Sequence, residues 1–253
     1  MALCQIEVFS QALKMQTQVT VVIPQKKTVG EIGIANGASD TAYPCLYLLH
    51  GLSDDHSIWL RRTSVERYAA EYGICVVMPE VQRSFYTDMK YGLNYYTYVA
   101  KELPALMEEL FHLSPRREDR YVAGLSMGGY GALKIALREG KTFCAGAGLS
   151  SVTDVVSRKR DETMIPIFGE TDPVPAEDDL FALAKAHADD PDRPRLYMAV
   201  GTEDTLYEQN IRLRDELDRL GYDLTYREGP GRHSWAFWDE YIQYVLAWMF
   251  GKK

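Results

Sequence analysis

One serine of the sequence lies in a setting that could make it a nucleophile. Ser126 is the centre of Gly124-Leu125-Ser126-Met127-Gly128, a G-x-S-x-G pattern that follows the apolar run YVA and precedes the helical run GYGALKIAL. A sharp turn from strand to helix requires flanking positions without side chains, and it places the serine at a helix N-terminus, where backbone N–H groups stabilise developing negative charge. Because a strand and a helix flank the pattern, it predicts a nucleophilic serine rather than a glycine-rich turn with an ordinary one.

A serine hydroxyl is a poor nucleophile until a base accepts its proton. In the nucleophile-elbow arrangement, an acid and then a histidine follow the serine along the chain. Two of the five histidines satisfy that order, His187 and His233. His187 lies in the polar run AKAHADD and is typical of a solvated helix end. His233 lies in the glycine-rich segment GPGRHSW between the last predicted strand and the last predicted helix, so we predict that His233 is the base.

The acid that orients this histidine is expected just after the apolar run RLYMAV, where the tetrapeptide GTED follows. A carboxylate there would accept a hydrogen bond from His233 Nδ1–H and hold the tautomer. Asp204 is our choice over Glu203, because an aspartate after a glycine turn is common at this site. Asp154 and Asp172 are weaker candidates, and Asp204 could also act as the N-cap of the following helix.

Stabilising an oxyanion requires two backbone N–H donors. Met127, the residue after the predicted nucleophile, supplies the first. The second is expected from the loop after the apolar run CLYLLH, which begins His50-Gly51-Leu52, and Leu52 N–H is our candidate. For His50 we favour a structural role, in which the ring orders this loop and takes no part in proton transfer.

The elements that must hold these residues can be read from hydrophobic periodicity. Residues 5–10 and 18–24 alternate apolar and polar side chains, which predicts antiparallel strands with one solvated face. The short, mostly apolar runs that follow suit strands covered on both faces, and helical patterns between them indicate a parallel sheet. The predicted buried strands are residues 45–50, 74–79, 121–125, 144–149, 195–200 and 224–228, and the predicted helices are residues 58–72, 95–111, 130–139, 205–220 and 235–249.

Residues 155–194 break this alternation. The segment contains RKRDE, two proline turns and AEDDLFALAKA. We predict an excursion over the carboxyl end of the sheet with one short helix at Leu180–Ala186, although a plain surface loop fits the sequence equally well. Leu180, Phe181 and Leu183 are expected to form a small apolar patch there. The segment is too short for a second domain, so residues 1–253 are predicted to form one.

Composition limits the kinds of partner. The 253 residues carry a formal net charge of −8, which disfavours nucleic acid and anionic membranes and leaves a small-molecule substrate. The first residues show no basic segment followed by an apolar one, and no apolar run is long enough to span a bilayer, so a cytoplasmic protein is predicted. The four cysteines have neither metal nor redox spacing and are expected to be reduced core residues, so no metal or cofactor is predicted.

Together these residues resemble the esterase D family of α/β-hydrolases, and most closely its tributyrin-esterase branch. The resemblance covers nearly the whole chain and rests on LLHGLSDDHSIW, SFYTDMKYGLNYYTYVAKELP, AGLSMGGYGALKIAL and RHSWAFWDEYI. It implies an α/β-hydrolase fold with an eight-stranded, mostly parallel sheet, and a carboxylesterase that acts on short acyl esters and often self-associates. It also implies Ser126, Asp204 and His233 as a catalytic triad, with Leu52 and Met127 at the oxyanion positions.

The sequence departs from that family pattern in one loop. Asp54-Asp55 stands where the tributyrin branch often has Gly-Asn, and the cysteine that S-formylglutathione hydrolases tend to carry there is absent. The missing cysteine disfavours a glutathione thioesterase. An acyltransferase would use the same triad and stays a rival hypothesis. So does an interaction module without catalysis, although such a module usually lacks a triad member.

Aromatic residues near the predicted nucleophile could line its pocket. Tyr86 and Tyr91 follow the strand that ends at residue 79, and Trp235 follows His233. We propose these three as substrate contacts, although core packing explains the tryptophan equally well. Tyr95 is at helical spacing, which favours the core.

Overall fold

Eight strands form one sheet in the computed structural model, which describes residues 1–25 and 41–251. The predicted eight-stranded, mostly parallel sheet is therefore confirmed. The strands are β1 (Ala2–Ser10), β2 (Met15–Ile23), β3 (Cys45–Leu49), β4 (Cys75–Pro79), β5 (Arg120–Leu125), β6 (Ala145–Leu149), β7 (Arg195–Gly201) and β8 (Leu224–Gly229).

The strands lie in the order β1-β2-β4-β3-β5-β6-β7-β8. β2 is antiparallel to both β1 and β4, whereas every pairing from β4 to β8 is parallel. In β3 to β6 every residue is buried, because helices cover both faces of the sheet there. The carboxyl ends of the parallel strands therefore meet at one edge of the sheet, and the predicted site residues follow those ends.

Helices divide between the two faces. α1, α2 and α9 pack on one face, and the remaining helices on the other. The bounds are α1 (Ile58–Arg62), α2 (Val65–Tyr72), α3 (Tyr95–Thr97), which continues through a π-helical turn (Tyr98–Glu102) into α4 (Leu103–Leu110), α5 (Met127–Arg138), α6 (Met164–Phe168), α7 (Leu180–Ala186), α8 (Tyr207–Arg219) and α9 (Trp235–Phe250). Within the described residues, no helix has both the length and the apolar character needed to cross a bilayer.

The single helix predicted over residues 58–72 is wrong. The chain becomes extended at Thr63, with φ −136° and ψ 173°, and this separates α1 from α2. The Thr63 hydroxyl donates to Trp59 O at 2.6 Å and accepts from Val65 N–H at 3.1 Å. A threonine side chain that bonds nearby backbone groups competes with helix continuation, which explains the break.

The start of α5 also differs from the prediction. The helix begins at Met127 and not at residue 130, so it starts directly after Ser126. The sequence does not indicate this start, because Gly128 and Gly129 have low helix propensity.

The excursion after β6 contains two short helices, α6 and α7, so the prediction of one is wrong. α6 has five residues with a proline among them, and this is too short for a helical period to show. The apolar patch predicted from α7 is also incorrect. Leu180 and Leu183 are buried in the core, because α7 packs against α5.

All four cysteines are free, but they are not all core residues. Cys45 and Cys75 are fully buried on neighbouring strands. Cys144 is predicted within a buried strand, yet it precedes β6 and is half-buried, as is Cys4 on the edge strand β1.

Candidate active site

Ser126 alone connects β5 to α5. Its backbone has φ +54° and ψ −114°, a conformation that residues other than glycine rarely adopt. Three backbone hydrogen bonds hold it: Ser126 N–H donates to Leu149 O at 2.8 Å, and Ser126 O accepts from Tyr130 N–H at 3.0 Å and from Val152 N–H at 3.1 Å. Strain of this kind costs about 1–3 kcal/mol and persists only where the surroundings impose it. Here these three backbone partners impose the conformation of Ser126 and fix where its hydroxyl points.

The glycines on either side of Ser126 are required by close backbone contacts. A Cβ atom on Gly124 would lie 2.3 Å from Gly128 O. One on Gly128 would lie 2.4 Å from Leu49 O, on the neighbouring strand β3. Both distances are too short for any side chain, so the sequence expectation about these two positions is confirmed.

The structure brings Ser126, His233 and Asp204 together. His233 Nε2 lies 3.0 Å from Ser126 Oγ. His233 Nδ1 lies 3.0 Å from Asp204 Oδ2 and 3.2 Å from Asp204 Oδ1. Because a carboxylate accepts, Nδ1 carries the proton and Nε2 is free to accept the one from Ser126.

The loops after β7 and β8 set the distance between this acid and this histidine. Glu203 N–H donates to Gly231 O at 2.9 Å, and Thr202 N–H donates to Gly229 O at 2.9 Å. A Cβ atom on Gly201 would lie 2.3 Å from Gly231 O. The two loops thus approach backbone to backbone, and this approach keeps Asp204 and His233 within hydrogen-bonding distance.

Asp204 is buried and accepts several hydrogen bonds. Burial alone would raise the pKa of its carboxyl, but hydrogen bonds from His233, Leu206 N–H and Ser150 outweigh burial and lower the pKa below its ordinary value. Asp204 therefore stays ionised beside the histidine, as an orienting acid must.

Sequence reasoning missed Ser150 and its contact with Trp238. Ser150 is fully buried at the end of β6, and its Oγ accepts a hydrogen bond from Trp238 Nε1 at 3.1 Å. The Trp238 ring packs edge-on against His233, with centroids 4.9 Å apart. Asp204, Ser150, Trp238 and His233 thus form a closed set of contacts. A signal was present, since Ser150 is a polar residue at the carboxyl end of a buried strand.

The other acids and the second histidine that the sequence offered as candidates form hydrogen bonds or ion pairs with residues outside the set of Ser126, His233 and Asp204. Their partners are Arg232 for Glu203 (3.0 Å), Arg212 for Asp154 (2.8 Å), Lys90 for Asp172 (2.5 Å) and Asp190 for His187 (2.7 Å).

The loop after β3 is fixed by His50. Its Nδ1–H donates to Gly51 O at 2.8 Å, and its Nε2 accepts from Val81 N–H at 3.1 Å. The Tyr86 hydroxyl donates to His50 O at 2.9 Å. Burial lowers the pKa of the His50 ring, so it stays neutral. The ring orders the loop that carries Leu52, as the sequence predicts.

A cavity of about 600 Å³ opens above Ser126, a size typical of small-molecule sites. Trp235, Leu52 and Met127 line it, whereas Tyr86 and Tyr91 do not. The Tyr86 hydroxyl donates to His50 O, which places the ring beneath the loop after β3. Tyr91 is 64% exposed and lies outside the cavity. The lining residues are Gly51, Leu52, Ser53, Asp54, Phe85, Leu125, Ser126, Met127, Val152, Arg158, Thr205, Leu206, His233, Ser234, Trp235 and Trp238.

Asp54 is the acidic residue of this lining. Its Oδ2 accepts a hydrogen bond from Gly51 N–H at 3.2 Å, and burial raises the pKa of its carboxyl. Within the described ranges, no three His, Cys, Asp or Glu side chains are placed to hold a metal ion.

Comparisons with known proteins give the chain a family and several similar structures. Residues 10–249 match the profile of the Esterase family, described as "Putative esterase". An acetyl esterase of Caldicellulosiruptor saccharolyticus is 30% identical and aligns over 98% of both chains. A substrate-bound structure of the fluorophosphonate-binding serine hydrolase FphF of Staphylococcus aureus is 33% identical, with a TM-score of 0.88 over 99% of both chains. S-formylglutathione hydrolase (FrmB) of the same species is 34% identical, with a TM-score of 0.85 over 98% of both chains.

These matches define the class of the protein. The fold is that of the α/β-hydrolases, and the similar structures are serine hydrolases. The chain belongs to the Esterase family and is a hydrolase that acts on esters.

Proposed function

We propose that this protein is a serine carboxylesterase that hydrolyses short-chain acyl esters through an acyl-enzyme intermediate. The observation that carries the proposal is the unbroken path from Ser126 Oγ to His233 Nε2 and from His233 Nδ1 to Asp204, with 3.0 Å at each step. This path opens onto the cavity of about 600 Å³ above Ser126, which has room for a small ester. The 30% identity to an acetyl esterase supports a small acyl group.

The first half of the reaction acylates the enzyme. Ser126 Oγ attacks the ester carbonyl carbon while His233 Nε2 accepts its proton, and Asp204 stabilises the resulting imidazolium. The backbone N–H groups of Leu52 and Met127 stabilise the oxyanion of the tetrahedral intermediate. Met127 N–H is free for this task because the first residues of a helix have no intrahelical acceptor. The intermediate then expels the alcohol, which takes the proton from His233.

The second half releases the acid. A water molecule gives a proton to His233 Nε2 and attacks the acyl carbon, and the same N–H groups stabilise the second oxyanion. When this intermediate collapses, Ser126 Oγ leaves and regains its proton from His233. The carboxylic acid is released, and the enzyme returns to its starting protonation state.

Short acyl chains are favoured because the apolar side chains of the cavity that reach its surface, such as Leu52, Leu206 and Trp235, are half-buried and form no broad exposed rim. Among the described residues, the large apolar side chains that are exposed do not line the cavity, and Val156 is the one in the excursion. Each buried methylene gains about 0.8 kcal/mol while the pocket has room and nothing once it is full. The exposed residues of this kind are Leu3, Phe9, Met15, Tyr91, Leu110, Val156 and Tyr244.

Hydrolysis of a series of 4-nitrophenyl esters from acetate to dodecanoate tests this proposal. We expect kcat/KM to be highest between acetate and butyrate and to fall steeply for longer chains. We also expect no increase in rate above the critical micelle concentration. A preference for dodecanoate, or a rate increase at that concentration, would show that the protein meets lipid surfaces and is a lipase.

A thioesterase is the second candidate, because one similar structure is described as an S-formylglutathione hydrolase. The triad geometry suits a thioester as well as an ester. Hydrolysis of S-formylglutathione faster than that of the best oxygen ester would favour this candidate, and alcoholysis over hydrolysis in added alcohol would favour an acyltransferase. Membership of the tributyrin-esterase branch, a cytoplasmic location and self-association stay predictions.

A further inference from the structure

The active-site cavity contains a positive charge that the proposed chemistry does not use. Apart from His233, the charged side chains that line the cavity are Asp54 and Arg158. Asp54 is engaged by Gly51 N–H within its own loop. Arg158 belongs to the excursion after β6, on another wall of the cavity.

The aromatic ring of Phe85 supports this arginine. Arg158 Cζ lies 5.3 Å from the centroid of the ring. Phe85 is itself fixed, since its ring packs edge-on against Tyr130 at 5.9 Å and its carbonyl accepts from Lys134 Nζ at 3.4 Å. A guanidinium on an aromatic face keeps its N–H groups at the edge, where a planar anion can bind with two hydrogen bonds.

Arg158 has no salt-bridge partner within the part of the chain that the structure describes. Asp161 lies near enough to interact electrostatically, but its Oδ1 already accepts from the N–H groups of Thr163 and Met164. Arg160, two residues on, instead donates to Asp172 O at 3.2 Å. The protein carries a net charge of −8, so an arginine without a salt-bridge partner in the cavity has the opposite sign to the protein as a whole. An unpaired arginine in a binding cavity is suited to an anionic ligand group.

We propose that Arg158 selects esters that carry a carboxylate a few atoms from the scissile bond. The inference rests on the proposed esterase function and names the substrate class: short esters of a dicarboxylic acid, or esters whose alcohol bears a carboxylate. Arg158 is a specificity residue in this scheme and takes no part in the bond-making steps.

Matched pairs of substrates test the proposal. For the acyl side, 4-nitrophenyl hemiglutarate is compared with 4-nitrophenyl pentanoate, which has the same number of acyl carbons. For the alcohol side, 3-carboxy-4-nitrophenyl butyrate is compared with 4-nitrophenyl butyrate. The enzymes are the wild type, Arg158→Gln, and Lys159→Gln, which removes the same charge from an exposed neighbour that does not line the cavity.

We expect Arg158→Gln to lower kcat/KM about 10-fold or more for the anionic ester of one pair, with the neutral esters changed less than about twofold, because a charge-assisted hydrogen bond is lost. The pair that responds shows which side of the ester Arg158 faces. Equal losses on anionic and neutral esters, no loss on either anionic ester, or an equal effect of Lys159→Gln would each overturn the proposal. If the wild type hydrolyses none of the four esters, the proposed esterase function fails instead.

Discussion

The neighbouring strands β5 and β6 end at the active site, but the connections that follow them differ greatly in length. β5 and β6 are parallel, with Leu125 level with Leu149, and both end at the same edge of the sheet. After β5 a single residue, Ser126, leads into α5. After β6 the chain covers residues 150–194 before β7 begins, with two short helices on the way. The first connection carries the proposed nucleophile, and the second supplies part of the cavity wall.

The two connections are also held differently. The turn at Ser126 is fixed by backbone contacts alone, with glycines where the chains touch. The excursion is held by side chains as well as by backbone: Lys134 Nζ, on α5, lies 2.9 Å from Asp178 Oδ1, and the Tyr130 hydroxyl donates to Asp178 O at 2.6 Å. Lys90 N–H also donates to Ile167 O at 2.9 Å. Side chains change more readily than backbone geometry. The comparison therefore indicates that the proposed chemistry depends on backbone geometry, whereas the proposed specificity depends on side chains that can be replaced.

The largest effect should come from the turn. Ser126→Ala is expected to lower kcat about a million-fold, the scale seen when a triad serine is removed. Folding should survive, because the change deletes one hydroxyl and keeps the backbone contacts. Steady-state kinetics and the melting temperature of the purified variant measure both points. Retention of a tenth of the activity would refute the assignment of Ser126.

The second effect compares two adjacent carboxylates. Asp204→Asn should lower kcat about 10⁴-fold, because the histidine loses the acceptor that fixes its tautomer. Glu203→Gln is the matched control, since Glu203 is exposed and pairs with Arg232, and it should change the rate little. Equal losses in the two variants, measured as kcat on the same ester, would show that the acid is misassigned.

The third effect concerns the anchor of the excursion. Burial lowers the pKa of Lys134 to about 8, and the Asp178 carboxylate opposes this shift. Asp178→Asn leaves a buried, unpaired lysine and should cost about 3–5 kcal/mol of unfolding free energy near pH 7. Without the carboxylate the folded pKa falls further, so the folded state releases this proton more readily than the unfolded state, and the loss should shrink as pH rises towards 9.

Urea denaturation at the two pH values measures this loss. Asp172→Asn is the control, because it breaks the exposed pair with Lys90 in the same excursion, and its effect should be much smaller. An equal effect of the two variants, or a loss that grows with pH, would show that Lys134 and Asp178 do not anchor the segment.

The same contrast explains what the sequence could and could not predict. Ser126, His233 and Asp204 can be identified from sequence because short motifs follow strand ends, and the topology of a parallel sheet gathers such ends. Arg158 lies in irregular backbone, where no period or motif reports what a side chain touches. Ser150 follows a strand end, but its position does not reveal that its partners are Trp238 and Asp204. Tyr86 follows a strand that ends near the active site, which is why the sequence predicts it in the pocket. Its hydroxyl instead donates to His50 O beneath the loop after β3, and this contact cannot be read from the sequence.

The glycines of the turn differ in whether a change there could be repaired. At Gly124 and Gly128 an added methyl group would meet carbonyl oxygens of the main chain, and no second substitution can remove a carbonyl. At Gly131 it would meet the ring of Tyr86 at 2.5 Å, which a smaller side chain at position 86 would relieve. In evolutionary terms, the first two sites are closed to every mutational path, whereas the third is open to a paired change. The surroundings of Ser126 can therefore change at Gly131, and in part at Gly129, where the nearest atom to an added methyl group would be Ser151 Oγ at 2.4 Å.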